Sequence, residues 1–187
     1  MDLSVFVIGQ APRHDLAAEI AAAVPGLEIA MRGALDGLSR PEIAALVPRD
    51  AADTLFTVLP SGEGVRVSKA EVAHRLRRML AETAGTVMLA CTGAFEGLPE
   101  RPGLVQPAAV VNGLAEALLP RGRLGLFVPL AEQAATLGAV RARAGLTLAV
   151  VPLRPHADDA TRAAAVQEMA AAAPDLVVLD CISYTRR

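Results

Sequence analysis

The chain has 187 residues, a formal charge of −2 and 53% hydrophobic content, which suits one domain or two small lobes and excludes disorder. Charges of both signs are interspersed and aromatics make up 3%, so neither a basic stripe nor a base-stacking series points to nucleic acid. No apolar run reaches the ~18 residues of a membrane span, and two distant cysteines suit a reducing compartment, so a cytoplasmic protein is expected.

The start, "MDLSVFVIG", is acidic where a signal peptide needs positive charge, and positions 4–9 read as a strand. "GQAPR" then turns into a helix and puts Gln10 and Arg13 at one sheet edge. Arg13 is a candidate clamp for a carboxylate, which a guanidinium holds bidentately. The competing reading is a turn led by Pro12, with a solvated Arg13. "GALDGLS" (33–39) is a candidate for bringing Asp36 toward a site, although the Asp36-Gly37 pair is more simply ordinary turn chemistry. "SRPEIAAL" opens a helix with a capping box of Ser39 and Glu42, and Pro41 is tolerated in its first turn.

"VLPSGEGVRVS" (58–68) reads as a hairpin, and its "GEG" has neither a Walker lysine nor a dinucleotide fingerprint. "SKAEVAHRLRRMLAET" follows as a helix with a box of Ser68 and Glu71. Its Val72, Leu76, Met79 and Leu80 fall on one face, which leaves Arg75, Arg77 and Arg78 toward water. Strands are predicted at 85–91, 103–107, 123–129, 147–153 and 175–181, with a helix in "DDATRAAAVQEMAAAAP" that stops at Pro174. Gln133, after the strand ending at Pro129, is a weaker candidate for lining a site.

Several strands are apolar at consecutive positions, as strands covered on both faces are. The fold class expected is α/β, with parallel sheets flanked by helices. The proline and glycines of "LLPRGRLG" suggest an N-terminal lobe over 1–118 and a C-terminal lobe over 119–187.

Each lobe carries one cysteine at the tip of a strand, Cys91 in "VMLACTGAF" and Cys181 in "LVVLDCISYT". Ligands of parallel sheets bind beyond the carboxyl ends of the strands, among helix N-termini. Thr92, Gly93, Ser183 and Thr185 offer hydroxyls and amides there for the oxygens of a small carboxylate. Two thiols on opposite faces of one carbon can exchange a proton, one as base and one as acid. The alternatives are a single active cysteine in an isomerase or decarboxylase-like reaction, a binding or regulatory protein without turnover, and, most plainly, two cysteines that are small buried hydrophobes. His14, His74 and His156 are scattered and form no metal spacing with the cysteines, so no metal is expected.

"VIGQAPR" (7–13), "GALDGLS" (33–39), "LACTGAF" (89–95), "LFVPLAEQ" (126–133) and "LDCISYT" (179–185) together resemble the AroM family within the aspartate/glutamate racemase superfamily. The cysteine strands are also similar to those of hydantoin racemases. The resemblance implies two α/β lobes with the site in the cleft between them. It also implies racemase or isomerase chemistry without a cofactor, with Cys91 and Cys181 as the acid/base pair acting on a small carboxylate or carbonyl compound. A homodimer is a further expectation from the superfamily. The family's name brings no established reaction. Family members continue through a further helix, strand and closing helix after the second cysteine motif, whereas this sequence runs six residues past Cys181 (187 minus 181). The expectation is either a cleft wall supplied by a neighbouring subunit or a truncated chain. The histidine that glutamate racemases carry beside the second cysteine is replaced here by Ile182-Ser183.

Overall fold

The structure, a computed structural model, describes residues 2–141 and 143–184. The chain forms two compact units that part between Ala108 and Ala109, earlier than the 118/119 division expected from composition.

The first unit is built on β1 (Asp2–Val7), α1 (His14–Ala23), β2 (Glu28–Gly33), α2 (Arg40–Ala44), β3 (Thr54–Val58), β4 (Gly64–Ser68), α3 (Lys69–Ala81), β5 (Thr86–Ala90) and β6 (Leu104–Val105). Four strands make a parallel sheet in the order β2-β1-β5-β6. Central β1 is buried at consecutive positions Val5, Phe6 and Val7, the pattern of a strand covered on both faces. β3 and β4 form the antiparallel hairpin foreseen from the glycine-rich stretch.

β2 was not foreseen. Its sequence, EIAMRG, alternates exposed and half-buried residues because it lies at the edge of the sheet, so it lacks the continuous apolar run of the inner strands. The apolar face of α3 does pack inward, with Val72, Leu76, Met79 and Leu80 all buried. Its cap differs from the expected box. Ser68 Oγ accepts from the Glu71 amide at 3.3 Å, but the Ser68 amide donates to the Leu46 carbonyl at 2.8 Å rather than to Glu71. In α2 the expected reciprocal contact is present, with the Ser39 amide donating to Glu42 Oε2 at 2.8 Å.

α4 (Pro107–Leu118) leads into the second unit, where β7 (Gly122–Val128), α5 (Glu132–Arg141), β8 (Leu146–Pro152), α6 (Asp159–Ala171) and β9 (Leu176–Leu179) follow. The three strands are parallel in the order β8-β7-β9. Asp158 caps α6 by accepting from the Thr161 amide at 2.7 Å. Apolar clusters among the described residues form the unit's core. Leu124, Leu126 and Val128 lie in one, and Phe127, Val151, Ala165 and Met169 lie in another. Gly125 lets α6 approach β7, because a Cβ there would stand 2.6 Å from Met169 Sδ and 3.1 Å from Pro174.

Candidate functional site

In the first unit the strand register decides which loops meet. Val7 pairs with both Gly33 and Ala90, so β1, β2 and β5 end level with one another. Three loops therefore leave one sheet edge side by side, carrying Gln10, Asp36 and Cys91. These are the carboxyl ends of parallel strands, where ligands of such sheets bind.

Two of those side chains hold the edge together. Gln10 donates its amide nitrogen to the carbonyls of Leu35 (3.2 Å) and Leu38 (2.9 Å). Asp36 accepts from the Ala11 amide at 2.8 Å and from the Gly33 amide at 2.7 Å, which fastens the first loop to the second. Gly33 must lack a side chain here, since a Cβ would lie 2.5 Å from Asp36 Oδ1 and from the Gly9 carbonyl. The turn role read for Asp36 thus extends to a tie between loops. Arg13, at the N-terminus of α1, is buried, and its guanidinium bonds Asp15 bidentately at 2.9 and 2.5 Å. Burial pushes the Asp15 carboxyl up, but the Arg13 guanidinium and nearby amides outweigh that and hold it below its usual value.

Cys91 follows the last residue of β5 and is 7% exposed, within the core cluster that also holds Leu55, Leu89 and Phe95. The chain turns sharply there, the Cys91 amide donating to the Leu89 carbonyl at 2.7 Å. The Gly93 amide then donates to Cys91 Sγ at 3.3 Å. A donor to sulfur steadies a thiolate, the form that removes protons or attacks carbon, while burial in apolar surroundings disfavours it. Thr92 and Gly93 are half-buried beside it.

In the second unit Phe127 of β7 pairs with Leu179 of β9, and Cys181 stands two residues beyond that strand. It is a half-buried thiol outside any disulfide, in the turn closed by the Tyr184 amide on the Cys181 carbonyl, at 3.2 Å. Ser183 is buried beside it. Thr185 lies outside the described residues. The Tyr184 hydroxyl donates to the Leu153 carbonyl at the end of β8. Burial, with the negative charges of Cys181 and Asp180, raises the Tyr184 phenol well above its ordinary value. Just before the cysteine, buried Asp180 pairs with Arg141 at 2.9 Å, with side chains 2% and 8% exposed. Gln133 sits in the first turn of α5, its amide donating to the Leu130 carbonyl at 3.1 Å.

Sequence reasoning missed two acids, Asp180 and Asp53. Asp53 is buried and its carboxylate takes donors from the Arg49 amide (3.0 Å), the Ala70 amide (2.9 Å) and the Ser68 hydroxyl (2.9 Å). Burial alone would raise it, yet these donors together lower it to about 2. The only sequence signal for Asp180 was its place next to a cysteine. For Asp53 there was none, because its partners lie as far off as Ala70.

Parallel sheets flanked by helices, each ending in a cysteine loop, make this an α/β protein with both thiols at strand termini. The chain belongs to the AroM family, whose model, described as AroM protein, matches residues 3–187. No protein of curated function matches it. Among solved structures it is similar to the fructose-binding periplasmic domain of a hybrid two-component system, at 12% identity and a TM-score of 0.30. That match covers 96% of this chain but 63% of the other, and so slight a likeness carries no argument about ligand or activity. Among the described residues no helix is long and apolar enough to cross a membrane.

Proposed function

We propose that this AroM protein is a racemase or isomerase of the aspartate/glutamate racemase type, working in the cytoplasm without a cofactor. Cys91 and Cys181 would move a proton at a carbon α to a carboxylate or carbonyl. The observation that carries the reading is the local setting of Cys91, a thiol at a strand's carboxyl end with the Gly93 amide donating to its sulfur. The base takes the α proton as its thiolate, and the other thiol delivers a proton to the opposite face. Negative charge that spreads onto the substrate's oxygen needs fixed donors, a role assigned to Thr92, Gly93 and Ser183. Gln10 and Arg13 enter this reading mainly as residues that set the loop, because their donors already serve Leu35, Leu38 and Asp15.

A second reading, a small-carboxylate binding protein without turnover, is favoured by the burial of Cys91 to 7% exposure. Incubation with candidate amino and hydroxy acids in D2O separates the two. Deuterium at Cα that disappears in both Cys91→Ser and Cys181→Ser is the outcome expected of the enzyme. Saturable binding with no exchange, unchanged in either variant, would leave only the binding protein.

A further inference from the structure

A cavity of about 420 Å³ opens in the first unit, apart from the sulfur of Cys91, between the loop before β3, the N-terminal part of α3 as far as Arg77 and the loop that follows the cysteine. Lys69, Ala73 and Arg77 recur at every fourth residue, so they share one face of α3, with Lys69 and Arg77 about 12 Å apart along its axis. Arg49 contributes a third cation to the lining.

The distribution of counter-charge is uneven. Asp53 lines the cavity, but its oxygens are taken up by the amides of Arg49 and Ala70, the Ser68 hydroxyl and the Arg49 Nε at 3.3 Å. Asp50 Oδ1 accepts from the Asp53 amide at 2.8 Å. Glu96 is exposed on the rim. Lys69 is half-buried, and its ammonium lies over the ring of Phe95 at 5.9 Å. Among the described residues neither Lys69 nor Arg77 is within ion-pair distance of a carboxylate. Arg77 is exposed, so the cost of a cation withdrawn from water without an opposite charge falls on half-buried Lys69, and the ring face only partly offsets it.

We infer that this cavity binds a small multivalent oxyanion, one charged end held by Lys69 and the other by Arg77. Phosphate esters and di- or tricarboxylates share that chemistry. An extended ligand suits the spacing of the two cations better than a single compact ion, and Arg77 offers a planar fork for two oxygens. The site stands independently of the proton-transfer reading, since it rests on no property of either cysteine.

The test is titration calorimetry of the full chain with pyrophosphate and with citrate, each against sodium chloride at matched ionic strength. Saturable binding beyond the chloride control is expected for at least one probe, and which one identifies the source of the oxyanion. Lys69→Gln and Arg77→Gln should each weaken it about tenfold, the effect of losing one charge-assisted hydrogen bond. Glu96→Gln should retain or strengthen it. Far-ultraviolet circular dichroism confirms that these surface variants are folded. Absence of binding above the chloride control for both probes, or affinity unchanged in both Lys69→Gln and Arg77→Gln, overturns the inference.

Discussion

Replacing Asp53 by asparagine keeps the shape of the side chain while removing its charge and turning one acceptor into a donor. In the native fold that carboxylate accepts from two amides and the Ser68 hydroxyl, and these lower it to about 2 from an ordinary 3.8. A downward shift of nearly two units corresponds to about 2 kcal/mol of stability. The sign is that of a depressed acid: the contribution is complete above the unfolded value and is lost as pH falls through the folded one. At about pH 3 the unfolded chain is already mostly protonated at this position while the fold still holds the anion, so roughly half of the contribution is gone. Asp53→Asn should therefore unfold in urea about 2 kcal/mol more easily than the parent near pH 7. The gap between the two proteins should narrow by about 1 kcal/mol on going to about pH 3. Taking the difference between parent and variant removes the acid sensitivity of every other group. A gap below about 0.5 kcal/mol near neutral pH, or one that does not change with pH, would refute the account of Asp53 as a charged cap on α3.

Two further outcomes concern the second unit. The chain's one tyrosine, Tyr184, is raised by burial and by the charges of Cys181 and Asp180, so its un-ionised form favours the fold. Tyrosinate absorbance should stay absent as pH passes about 10 and appear together with the loss of circular dichroism, because stability held below the ordinary value is lost above it. A smooth titration near the ordinary value in folded protein would contradict the burial argument. Arg141→Leu strands the buried Asp180 carboxylate and should cost about 3–5 kcal/mol by chemical denaturation, much of it recovered when Asp180→Leu is added. A single variant within about 1 kcal/mol of the parent would show that the pair is worth little.

How much of this could be read in advance depended on where each partner lies along the chain. β1, β5 and β7 were legible because inner parallel strands are continuous apolar runs, edge strand β9 because its four residues are all apolar, and α3 because its buried residues recur with helical period. β2 was hidden by its edge position, where Arg32 and Glu28 break the run. At the site, sequence placed Gln10, Arg13 and Cys91 at the correct strand ends, since a residue's position after a strand is local information. What Gln10 and Asp36 bind was not legible. Each reaches backbone across 25 residues or more, and no pattern encodes which amide or carbonyl a polar side chain will meet. The same holds for Ser68, whose amide donates to the Leu46 carbonyl, 22 residues earlier (68 minus 46), rather than to Glu71.

One junction has mechanical meaning. β4 ends at Ser68 and α3 begins at Lys69, so the hairpin passes into the helix without a hinge between them. Connecting loops are where folds usually absorb displacement, and this joint has none. Any rocking of the hairpin must then swing α3 as a lever, and a load on either one is felt directly by the other.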